Sequence, residues 1–193
     1  MGVCCVTYAV SDDTLSLVLE DPARVWQVLE PDDDSHYLTA RAELYRAPFL
    51  MRLLGRRIVA PPVLRVALTP PEGRTMDLDK SWDGLRVCLA AACPNTPEFF
   101  DGPTLSPIDT GYGPPIYHLS NESRRVAESY LAVSETDLVA ALYGPAAKEA
   151  YPIAIWREPD EEAESYLLEN FRELRAFMAH LKENGLGVII QYT

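Results

Sequence analysis

The chain has 193 residues and a formal net charge of −12, from 29 acidic against 17 basic side chains. That balance argues against nucleic acid as a partner, since phosphate binding needs a net basic face. No apolar run approaches the roughly 20 residues that span a bilayer. With 48% hydrophobic residues, the chain reads as a globular protein able to bury a core without disulfides or a structural metal.

The N-terminal Met1-Gly2, followed by Cys4-Cys5, is similar to a dually acylated anchor, but Val6 stands where the myristoylation pattern wants Ser or Thr. No basic stretch precedes the apolar one, so a secretory leader is not expected. The β-branched run predicts a buried strand from about Val3 to Val10, with Cys4 and Cys5 on opposite faces. Ser11-Asp12-Asp13 marks a helix start, a capping hydroxyl before two acids that suit the helix dipole. That helix runs through Leu15, Val18 and Leu19 to Asp21-Pro22, and a second from Ala23 to Leu29 ends in the acidic loop Glu30–Asp34.

Residues 41–74 carry seven arginines against Glu43 and Glu72, a basic, proline-rich stretch inside an acidic chain. It reads as an insertion. Within it Phe49, Leu50, Leu53 and Leu54 fall on one side of a helix, with Arg52 and Arg56 one turn apart. The arginines are expected to face solvent or pair with the acids at 32–34 and 158–164, an anionic membrane or a docked partner being the other readings. Pro61-Pro62 and Pro70-Pro71 bracket a predicted strand, Val63–Leu68.

Asp77–Ala92 is predicted as a helix, with Leu78, Trp82, Leu85 and Leu89 on its apolar stripe. Residues 94–119 are irregular and aromatic, the kind of long loop that is usually functional or mobile. Ser120 is expected to cap a helix carrying Val126, Tyr130 and Leu131. Ser134-Glu135-Thr136-Asp137 reads as a capping box, with Val133 and Leu138 as its hydrophobic staple, and Gly144-Pro145 stops that helix. Tyr151–Trp156 is expected as a short strand or extended connection. The longest helix starts near Pro159, carries Ala163, Leu167, Phe171, Leu174, Met178 and Leu181, and ends at Asn184-Gly185. Leu186–Tyr192 is a nearly continuous apolar strand, which places it centrally. The expectation is one α+β domain over residues 1–193, its mixed or antiparallel sheet covered by several helices, including a long C-terminal one.

Gly111-Tyr112-Gly113-Pro114, Tyr117-His118-Leu119-Ser120, Tyr151-Pro152, Trp156 and Tyr166-Leu167-Leu168-Glu169-Asn170-Phe171 before a final strand resemble, in that order, the YfbM-like family of bacterial proteins. Leu78-Asp79-Lys80-Ser81-Trp82 looks like that family's Leu-Asp-Lys-x-Trp signature, and Val10-Ser11 and Leu19-Glu20-Asp21-Pro22 fit as well. The resemblance covers nearly the whole chain outside 41–74. It implies an α+β domain and carries no established activity. Trp82 is followed by Asp83-Gly84-Leu85-Arg86, where the family often has a histidine-bearing stretch, so no role for such histidines carries over.

The chemistry-bearing residues are few. Cys88 and Cys93 are five apart and His36, His118 and His180 are scattered, which does not match the two close ligand pairs of a zinc site. Four thiols without a leader fit a reducing cytoplasm. There is no nucleophile elbow, P-loop or dinucleotide fingerprint, so neither metal nor cofactor is expected. Asp77-Leu78-Asp79 reads as helix-start acids, because a phosphotransferase Asp-x-Asp wants a buried strand before it.

The candidate ligand-binding constellation is Asp79, Lys80, Trp82 and Asp83 with Tyr112, Tyr117 and Trp156. Asp79 and Asp83 would sit one helical turn apart, and the 94–119 loop folded over them would close a cleft of acids and aromatics. The plainer reading has Trp82 in the core, Asp79 capping and Lys80 paired. Two functions of different class follow. One is a non-catalytic cytoplasmic binding protein whose acidic surface recognises a basic protein partner, as an immunity-type protein would. The other is a small-molecule-binding or hydrolytic protein using the two carboxylates in divided roles. Binding is preferred; catalysis and homo-oligomerisation stay open.

Overall fold

A computed structural model describes residues 2–46 and 58–193. Its sheet is built from the two ends of the sequence. Strand β1 (Cys5–Val10) pairs antiparallel along its length with a strand at Gly187–Tyr192, Cys5 opposite Tyr192 and Val10 opposite Gly187. Two three-residue strands complete it: β2 (Thr75–Asp77) on the outer edge of β1, and β3 (Ile116–His118) on the far edge of Gly187–Tyr192, which is β4. The order is β2-β1-β4-β3 and every pair is antiparallel.

Eight α-helices lie among the described residues: α1 (Asp12–Glu20), α2 (Val25–Leu29), α3 (Ser35–Leu44), α4 (Trp82–Ala92), α5 (Ser120–Ala132), α6 (Glu135–Leu142), α7 (Ile153–Trp156) and α8 (Glu161–Asn184). Alternation along the central strands splits the core in two. Cys5, Ala9, Val188 and Ile190 face a large cluster with Leu85, Leu89, Val126, Leu167, Phe171 and Met178 of α4, α5 and α8. Val10 and Ile189 face a smaller one with Leu15, Val18, Val25 and Val28 of α1 and α2. The result is an α+β domain with helices on both faces of one sheet.

Local signals explain the helix ends. The Ser11 hydroxyl accepts the Thr14 N–H at 3.1 Å, Ser134 accepts that of Asp137 at 3.1 Å, and Asp160 accepts that of Ala163 at 2.9 Å. Each satisfies an N–H that a helix start leaves unpaired. Gly185, at φ +63°, closes α8 in the left-handed conformation. The predicted stripe of α8 is buried, and Phe177, 1% exposed, belongs to it as well.

Four expectations need correcting. Residues 63–68 form no strand. Pro61 and Pro62 lack amide hydrogens, and their carbonyls are taken by Arg41 and Arg24 rather than by a neighbouring strand. Tyr151–Trp156 yields the four-residue helix α7, whose Trp156 indole donates back to the Tyr151 carbonyl at 2.9 Å. Ser120 is the first residue of α5 and Leu119 is its cap; Asp12 accepts both the N–H and the hydroxyl of Ser120, at 2.8 and 2.7 Å. Finally, 77–92 is not one helix: β2 runs to Asp77, and α4 begins only at Trp82. The arginine-bearing helix expected around Phe49–Arg56 lies outside the described residues.

Candidate functional site

Between β2 and α4 the chain makes a turn that decides what Asp79 can do. The Asp77 carboxylate accepts the Asp79 N–H at 2.8 Å, Ser81 donates its N–H to the Leu78 carbonyl at 2.9 Å, and Asp79 takes a left-handed φ of +44°. Asp and Asn tolerate this region because a short polar side chain can bond the local backbone. The Asp-x-Asp acids therefore do follow a strand, contrary to expectation. That strand is a three-residue edge strand, and its Asp77 is engaged by the turn.

The Asp79 side chain accepts two bonds from distant parts of the chain. Tyr166 of α8 donates its hydroxyl at 2.9 Å, and the Cys4 thiol donates at 3.2 Å. The same Tyr166 hydroxyl accepts the Lys80 N–H at 3.2 Å, so one tyrosine fixes both the backbone and the carboxylate of the turn. The bond from Cys4, aided by Tyr166 and working against partial burial, holds the Asp79 carboxyl below the usual carboxylate range. Burial, and then the bond to Asp79, push the Tyr166 hydroxyl up to about 12. The pair is thus a carboxylate and a neutral phenol at neutral pH.

Asp79 and Lys80 open onto a cleft of about 390 Å³ lined also by Ala154, Ile155, Glu158, Asp160, Glu162, Ala163 and Tyr166. Glu158, Asp160 and Glu162 are exposed and form an acidic rim, while half-buried Ile155 and buried Ala163 give the cleft an apolar side. Glu162 and Tyr166 are four apart and Ala163 and Tyr166 three apart, which brings them to one face of α8. Lys80 is the only cation among these lining residues.

The other sequence candidates stand elsewhere. Asp83 is 8% exposed and has both oxygens occupied, one by the Tyr151 N–H at 2.7 Å and one by Arg86 at 2.6 Å. It does not share the cleft with Asp79, because no helical turn joins the two. Trp82 donates its indole N–H to the Val3 carbonyl at 3.0 Å and packs against Tyr192, ring centroids 4.9 Å apart. Trp156 is fully buried and stacks on Tyr166 at 6.1 Å, so it backs the cleft without lining it. Tyr117 lies on β3, opposite Ile189, and Tyr112 donates its N–H to the Tyr192 carbonyl at 2.7 Å with its side chain exposed. These two lie outside the cleft.

Tyr166, Ile155 and the rim acids were not among the candidates. Part of their signal is the spacing of Glu162, Ala163 and Tyr166 in one helix behind its Asp160 cap, but nothing in the sequence says that Asp79 faces it. Among the described residues no group of three or more His, Cys, Asp or Glu side chains converges to hold a metal ion. All four cysteines are free thiols.

The fold and cleft define an α+β protein with an acid-rimmed groove where the turn between β2 and α4 meets α7 and the N-terminal end of α8. Residues 1–191 match the family described as a domain of unknown function, DUF1877, and the chain belongs to that family. No curated protein and no solved structure matches it. Among the described residues no helix is long and apolar enough to cross a membrane.

Proposed function

We propose that this is a non-catalytic binding protein that recognises a basic protein partner and takes one of its cationic side chains into the cleft beside Asp79. The observation carrying this reading is the Asp79 carboxylate, kept ionised by Tyr166 and Cys4 and facing a cleft rimmed by Glu158, Asp160 and Glu162. Ile155 and Ala163 offer the aliphatic stem of a lysine or arginine an apolar surface. The net charge of −12 adds long-range attraction for such a partner and opposes nucleic acid. In this reading Asp79 and Lys80 touch the partner, Trp82, Asp83 and Trp156 hold the turn and α7 in place, and Tyr112 and Tyr117 belong to the remainder of the surface.

An immunity-type role, a YfbM-like place within the family, a bacterial source and cytoplasmic residence are parts of the same proposal. So is a single domain over 1–193 with 41–74 as an insertion. The order of the sequence motifs and the four free thiols support them. The small-molecule alternative uses the same cleft, but its hydrolytic form loses Asp83 as the partner of Asp79, since Asp83 is engaged with Tyr151 and Arg86.

The test is an NMR titration of the ¹⁵N-labelled protein with an acetylated hexa-arginine peptide. The reading expects shifts concentrated at residues 79–80 and 154–166, weakened at least threefold by Glu158→Gln with Glu162→Gln and by added salt. Shifts scattered over all acidic surfaces, or unaffected by the double substitution, overturn it.

A further inference from the structure

On the face of the sheet away from the cleft, residues 58–68 run past α1–α3 without regular secondary structure. Among the described residues, none of them shares a backbone–backbone hydrogen bond with the rest of the chain. Four side chains hold the segment instead. Arg41 donates to the Pro61 carbonyl and Arg24 to that of Pro62 at 3.2 Å. Gln27 accepts the Val66 N–H at 3.1 Å, and Arg65 reaches the Pro31 carbonyl at 3.0 Å. Both guanidiniums that hold the proline carbonyls also converge on one carboxylate, that of fully buried Asp21, which accepts the Tyr45 hydroxyl as well.

The apolar anchorage is equally slight. Val66 is buried and Leu68 half-buried in the cluster that holds Leu15, Val18, Val28 and Ile189, whereas Val59 and Val63 are 90% and 68% exposed. A segment tied by side chains, with no ladder and few buried groups, has the character of a unit that opens independently of global unfolding. We infer that residues 58–68 are a strap latched by the Asp21–Arg24–Arg41 cluster, and that it lifts while the rest of the fold stays closed. Lifting bares the apolar face of α1 and α2 beneath Val66. Arg41 is the releasable half of the latch: removing it leaves Asp21 and Arg24 as a neutral buried pair, whereas removing Asp21 strands two cations.

The test introduces a thiol by Val66→Cys and follows its alkylation and that of Cys88 by peptide mass spectrometry. Cys88 is fully buried in the other core and reports global unfolding. The thiol at position 66 is expected to react at least tenfold faster than Cys88, and Arg41→Gln to speed it at least a further fivefold while Cys88 keeps its rate. Equal rates for the two thiols, or a substitution that accelerates both together, overturn the inference. Should Arg41→Gln not fold, Gln27→Ala, which removes the acceptor of the Val66 N–H, makes the same comparison.

Discussion

Gly84 lies directly beneath the indole of Trp156: a Cβ built on this glycine falls 2.6 Å from Trp156 Cε2. Trp156 is fully buried and cannot swing away, so α4 and α7 approach this closely only because position 84 has no side chain. Alanine is worth about 1 kcal/mol over glycine in a helix, but overpacking at a rigid aromatic costs about 1–3 kcal/mol or more. Gly84→Ala is therefore expected to lower the melting temperature by several degrees, at roughly 2–4 °C per kcal/mol for a chain of this size. A calorimetric scan showing a raised melting temperature would sink this packing account.

Glu72 makes a pH prediction. Burial works against its charge, yet bonds from the Ser11 N–H, the Thr14 hydroxyl and the N–H and hydroxyl of Thr69 more than offset that and bring its carboxyl down to about 2. A carboxyl lowered in the folded state contributes stability that is complete above its ordinary value near 4.5 and is lost as the pH falls towards about 2. Glu72→Gln is expected to cost on the order of 1–2 kcal/mol at pH 7, discounted for partial exposure. Urea unfolding at a series of pH values should show the gap between wild type and variant closing below pH 4.5. A gap that stays constant across that window would mean the four donors do not prefer the ionised form.

The Tyr166–Asp79 pair can be read from both ends. Tyr166→Phe removes one of two side-chain donors to Asp79, so the carboxyl midpoint, followed by the ¹³Cγ shift of Asp79, should rise towards its ordinary value. Asp79→Asn removes the nearby negative charge, so the Tyr166 hydroxyl should titrate below its present value of about 12. If neither midpoint moves, the bond between them does not persist in solution.

Asp12 serves two helices, lying in the first turn of α1 while capping Ser120 at the start of α5. Asp12→Ala is expected to cost about 1–2 kcal/mol. Paired with Ser120→Ala in a double-mutant cycle it should be non-additive by at least about 0.5 kcal/mol. Additive losses would show that the contact contributes nothing beyond the two residues separately.

The sequence was legible wherever a local rule governs. Ser11 and Ser134 announce their helices by capping, Gly185 ends α8, and β1 and β4 are visible as β-branched or apolar runs; Asp160, expected in the first turn behind Pro159, is instead the cap of α8. It was opaque where distant pairing decides. The strands β2 and β3 have three residues each, too short for an alternation to register, and they exist because Thr7 and Ile190 offer them partners. The sequence singles out Asp79 and Lys80, but it joins Asp79 to Asp83 only if a helix starts at Asp77. The Asx bond from Asp79 to Asp77 delays that helix to Trp82 and turns the two acids to different neighbours. Tyr166 could not be placed beside them, since a contact spanning 87 residues leaves no local pattern.

The place of β4 in the strand order has a bearing on synthesis. Among the described residues β3 joins the sheet only through β4, and β1 meets β4 across 177 to 187 residues of sequence. As the chain leaves the ribosome, β1 waits beside an open flank until Gly187–Tyr192 emerges, and β3 has no strand to join before then. A chain stopped short of Gly187 would therefore hold two detached sheet fragments under uncovered apolar helices, a species for chaperones and proteases and not a smaller version of the fold.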